Sequence, residues 1–111
     1  MKLEGWETNL NKYLEEEKNK KYELGKNDCW LFIIKGIKIM TGKEIFKENK
    51  FKDNIISLAQ RGDIVFFKER VNCNIEFGGA FGICVGSKSI IKCREKLVNV
   101  DTMQGDISWR L

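Results

Sequence analysis

A chain of 111 residues holds one hydrophobic core and no more, and 42% hydrophobic with 32% charged residues is the balance of a folded domain. The net charge of +4 is spread evenly, and 16 of the 20 cations are lysines, whereas base and phosphate recognition leans on arginine's planar fork, so nucleic-acid binding is not indicated. No apolar run reaches the roughly 18 residues of a membrane span, and residues 1–12 lack the apolar core of a signal peptide, so no membrane association and no export are expected.

Trp6, Leu10, Tyr13 and Leu14 recur at helical spacing, with Lys12 and Glu15 to Glu17 assigned to other faces, which predicts an amphipathic helix over 5–18. Its aromatic stripe reads as core packing. A polar Lys-rich exit at 18–21 then leads to Gly25-Lys26-Asn27-Asp28-Cys29-Trp30, a loop that breaks directly into an apolar helix over 28–41. Asp28 suits its N-cap and Gly42 its stop. Advancing 100° per residue from Cys29 places Ile33, Gly36, Ile37 and Met40 on one side, with Trp30, Phe32, Ile34 and Ile39 flanking. A helix apolar over so wide an arc must be packed on most sides, so it is the central helix, and Gly36 invites a strand to approach.

Residues 43–52 read as a charged connection and 55–59 as a short helix. After Arg61-Gly62-Asp63, a turn in which Asp63 is a turn residue rather than an acid, the pattern becomes one of strands. They are expected at Ile64 to Phe67, Val71 to Phe77, Phe81 to Val85, Ser89 to Cys93 and Leu97 to Val100. Turns fall at Gly78-Gly79, Gly86-Ser87-Lys88 and Gly105-Asp106, and Trp109-Arg110-Leu111 follows. Helices first and strands afterwards give α+β, with a mainly antiparallel sheet on the central helix, in a single domain.

The chemistry-bearing residues are few. Cys29, in the first turn of a helix, faces free backbone N–H groups and a positive helix end, which favour its thiolate. The chain has no histidine, the usual base for such a thiol. Zinc would need all four cysteines or help from carboxylates, and no metal or other cofactor is expected. Cys73, Cys84 and Cys93 read as small apolar filler, with disulfides not expected in a chain lacking an export signal. Asp28 either caps the helix or tunes the thiol, and the cap is the simpler reading. Trp30 and Trp109 are large apolar anchors, in the core or along a surface groove.

Four motifs in order, Gly25-x-x-Asp28-Cys29, Thr41-Gly42, Arg61-Gly62-Asp63 and Gly82-Ile83-Cys84-Val85-Gly86, resemble the NlpC-type branch of papain-like cysteine peptidases. With Trp109-Arg110 added, the chain is closer still to small phage and prophage tail-region proteins of unknown function that share that fold. The resemblance covers 22–42 and 61–111. It implies a nucleophile at Cys29 and a histidine base two residues before Gly82-Ile83, a place that falls on Ala80. The polar residue that orients the histidine falls near Lys92. Lys92 itself could take a proton only if burial held it largely neutral. Loss of the base from such a pair removes most of its chemistry.

The resemblance therefore implies a degenerate peptidase fold with a binding or tail-assembly role, in the host cytoplasm or on the virion, its partner another phage protein. A second reading is a small phage-encoded inhibitor of a host defence protein, comparable to an anti-CRISPR. A third keeps Cys29 as the nucleophile of an amide hydrolase.

Overall fold

Two helices form where the apolar periodicity is helical. In a computed structural model, which describes residues 2–20, 23, 29–43, 52–54, 56, 59–68, 80–93 and 97–111, with only the backbone of Cys29 and of 52–54, α1 spans Trp6–Glu17 and α2 spans Cys29–Thr41. The buried residues of α1 are Leu10, Tyr13, Leu14 and Glu17. They lie at i, i+3, i+4 and i+7, one face of a 3.6-residue helix. Glu17 is thus part of the buried stripe and not of the outer face expected for it.

α2 ends where a glycine permits it. Gly42 has φ +74° and donates to the Lys38 carbonyl at 2.7 Å, the left-handed stop that L side chains resist. Phe32, Ile33, Ile37 and Met40 are buried, and only Lys35 and Lys38 are exposed along residues 30–40. α1 packs on one side of α2, and the sheet packs on another. A Cβ at Gly36 would lie 2.7 Å from Ile83 Cδ1 and 3.5 Å from Tyr13 Cε2, so glycine lets the sheet and α1 close on α2 at one point.

The sheet is antiparallel throughout, with strands β1 (Lys52–Asn54), β2 (Ile64–Phe67), β3 (Ala80–Cys84), β4 (Lys88–Lys92), β5 (Leu97–Asp101) and β6 (Ile107–Arg110). Their spatial order is β1-β6-β2-β3-β4-β5. The α+β class is as expected, and β2 to β5 fall within a residue or so of the expected strands. The short β1 does not, since Lys52 reads from the sequence as part of a charged connection. The strand expected at 71–77, the turn at 78–79 and most of the helix at 55–59 lie outside the described residues. Among the described residues no helix is long and apolar enough to cross a membrane.

Alternation divides the sheet into two faces. Ile64, Phe81, Ile83, Ile90, Leu97 and Trp109 join the core built with α1 and α2. Val65, Phe67, Ala80, Cys84, Ile91, Cys93 and Val100 form a second cluster, with Ile56, Ala59 and Val98 packed against it. On that second face a polar knot pins the β3–β4 hairpin to the 3-10 turn Thr102–Gln104. Thr102 Oγ1 lies 2.8 Å from Ser89 Oγ and donates to the Gly86 carbonyl at 3.0 Å, while Thr102 N–H donates to the Ser87 carbonyl at 2.9 Å.

One expectation is overturned by the cysteines. Cys84 is a free, buried thiol and fits the role of filler, but Cys93 is disulfide-bonded, to a partner outside the described residues. A thiol reagent in denaturant should therefore titrate two of the four cysteines before reduction and all four afterwards. Four reactive thiols without reduction would show the bond to be absent.

Candidate functional site

The head of α2 is where the motifs place a reactive centre. Cys29 opens the helix; its side chain and all of Asp28 lie outside the described residues. The next residue, Trp30, meets Phe81 of β3 edge-on, with ring centroids 5.2 Å apart and planes at 65°. Phe81 is the hub of an aromatic cluster, 4.9 Å from Phe66 of β2 and 5.9 Å from Trp109 of β6. The four side chains are half-buried.

Strand register explains the gathering. Phe66 pairs with Phe81 across β2 and β3, and Ile64 pairs with both Ile83 and Trp109, so rings from three adjacent strands project on the helix side. The two tryptophans expected as anchors are joined through Phe81, which sequence reasoning had not singled out. Such clusters hold by burial plus offset and edge-on ring contacts, about 0.5–1.5 kcal/mol for each pair beyond area.

Ala80, the place assigned to a histidine base, lies on the other face. It pairs with Phe67, is fully buried and belongs to the second cluster. A side chain there points away from α2, because successive residues of a strand face opposite sides. The residue that faces the head of α2 from this end of β3 is Phe81, which has no proton to give or take.

Lys92, the place assigned to the orienting residue, does lie on the helix side. Ile83 pairs with Ile90, and continuing that register sets Lys92 abreast of Phe81. Its ammonium is held by Glu17: Nζ donates to Oε2 at 2.6 Å, with the side chains 3% and 2% exposed. Lys20 reaches the other oxygen at 3.4 Å from a half-exposed position. Burial pushes the Glu17 carboxyl up, but the hydrogen bond and charge of Lys92, aided by Lys20, outweigh it and leave the group below its usual range. The lysine that could serve as a base only when neutral is thus bound as a cation to a carboxylate.

Asp63 adds burial to its expected role in the turn. It shapes the turn, exchanging hydrogen bonds with Gln60, and its side chain is fully buried. Glu17 and Asp63 are therefore the two buried acids among the described residues. Spacing could have revealed Glu17, which stands four residues after Tyr13 and seven after Leu10. For Asp63, beside a glycine turn, the pattern carried no signal of burial.

Residues 1–55, which include both helices and Cys29, match the model of a family described as a domain of unknown function (DUF6950). No curated protein matches the chain.

Proposed function

We propose that this chain is a degenerate NlpC-type papain-like domain of phage or prophage origin, and that it works by binding another protein, most plainly a tail component, rather than by catalysis. The observation that carries the reading is the aromatic hub at the head of α2. Beside Ala80, where the resemblance calls for an imidazole, Phe81 packs against Trp30, Phe66 and Trp109. The neighbouring polar position, Lys92, is committed to Glu17. Half-buried aromatic clusters of this kind suit anchoring contacts, since Trp and Tyr dominate the energetics of protein interfaces.

The test is binding of the purified chain to the purified tail components of its phage, with Trp109→Ala as the probe. A tail component should bind, and Trp109→Ala should weaken it about 30-fold, a hot-spot loss of about 2 kcal/mol. Absence from purified particles together with failure to bind any tail component would overturn the proposal. Capture of a host nuclease in place of tail proteins would establish the inhibitor reading. Amide hydrolysis abolished by Cys29→Ala, with the fold intact, would establish the hydrolase.

A further inference from the structure

Asp63 carries a feature that neither its turn nor the proposed binding role uses. Its side chain is 0% exposed, and Oδ1 has no hydrogen-bond partner among the described residues. Oδ2 accepts from Gln60 N–H at 2.8 Å. Arg110 Nε stands 3.8 Å from Oδ2, beyond hydrogen-bond reach. Buried carboxylate oxygens are ordinarily paired, and leaving one unpaired is costly, the more so when it is charged.

The surroundings make this carboxyl a junction. Gly62 N–H donates to the Cys84 carbonyl at 2.7 Å, and Cys84 N–H returns a bond to the Asp63 carbonyl at 2.8 Å, tying the turn to β3. Lys2 and Trp6 pack directly over Gly62, and Lys2 Nζ lies 5.1 Å from the centre of the Trp6 ring. Arg110, whose side chain is 42% exposed, ends β6. It directly follows Trp109 of the aromatic cluster. The charged groups bearing on Asp63 are Arg110 from β6 and Lys2 from the segment before α1. Arg61, beside it in the turn, is paired with Glu7 of α1 at 3.3 Å.

We propose that Asp63 is a proton-operated latch on the end of β6: ionised, it draws the Arg110 guanidinium onto its unpartnered oxygen, and protonated, it releases that contact. The proton comes from solvent, adds to Oδ1 and cancels the charge that attracts Arg110; its loss restores the charge. Burial pushes this carboxyl above the ordinary aspartate range, and the Gln60 hydrogen bond and the charges of Arg110 and Lys2 only partly pull it back. An acid raised in this way favours the fold most below its unfolded value. Its share of the stability is lost as pH rises through the folded one. Glu17, whose carboxyl lies below its usual range, runs the other way, so the latch is read by comparison with Asp63→Asn.

The experiment is carboxyl ¹³C NMR titration of Asp63 in the wild type and in Arg110→Met, with urea denaturation of wild type and Asp63→Asn between about pH 3 and 7. Asp63 should titrate above about 3.9, the ordinary value, and Arg110→Met should move it up by a further pH unit or so. Asp63→Asn should gain stability relative to wild type as pH rises. An Asp63 that titrates at or below 3.9, or ignores Arg110→Met, overturns the latch. If Arg110→Met does not fold, a stability difference between Asp63→Asn and wild type that stays constant with pH overturns it equally.

Discussion

Lys92→Met should lower the stability of the protein by about 3–5 kcal/mol, the usual cost of leaving one member of a buried ion pair without the other. The loss arises because Glu17 stays behind, a carboxylate 2% exposed with, among the described residues, the half-exposed Lys20 for company. Against a total stability of about 5–15 kcal/mol for a domain of this size, that is a large fraction. The double replacement Glu17→Leu with Lys92→Met should recover most of it, since buried pairs replaced by apolar groups of similar volume are often neutral or better. A double-mutant cycle in urea measures both. A single-site loss no larger than the roughly 0–1 kcal/mol of an exposed pair would mean that water reaches these charges. Acid gives a second handle. Because the folded Glu17 carboxyl lies below its usual range, its contribution is fully present above the unfolded value near pH 4.5. It is lost as pH falls through the folded one, and wild type should lose stability there while the double variant does not.

The same pair marks how far the sequence could be read. The stripe Leu10, Tyr13, Leu14 was legible from spacing, and Glu17 continues it, but an acid at the end of the run Glu15-Glu16-Glu17 looks like a solvated face. Its burial depends on a lysine 75 residues away, and no local pattern encodes that partnership. The placing of β6 between β1 and β2 is hidden for the same reason, because it rests on contacts between strands remote in the chain.

The site fared differently. Once Ile83 is known to face α2, a period of two assigns Phe81 to that side and Ala80 to the other, so the aromatic hub was within reach of the strand pattern. Ala80, where the resemblance places the base, lies on the opposite face from α2. For Cys93, an apolar strand end gives no sign of a bonded partner, and its disulfide stayed invisible to spacing.

Phe32→Ala should cost about 3–5 kcal/mol, and Tyr13→Phe about 0.5–1.5 kcal/mol. The contrast tests what joins α1 to α2. Phe32 is 2% exposed and stacks on Tyr13, with centroids 5.6 Å apart and planes at 17°. The Tyr13 hydroxyl donates to the Phe32 carbonyl at 2.8 Å, a bond made in the folded state at the expense of one to water. Truncating the ring removes apolar area and leaves a cavity between helices that have already closed against the sheet at Gly36. Little can shift to refill it. Removing the hydroxyl keeps the stacked ring and leaves a single carbonyl without that donor. If area governs the joint, the two losses should differ by roughly threefold in urea denaturation. Equal losses would make the hydrogen bond the dominant tie. In that case α1 would be held chiefly by polar contacts, Tyr13 to the Phe32 carbonyl of α2 and Glu17 to Lys92 of β4, with the aromatic packing secondary.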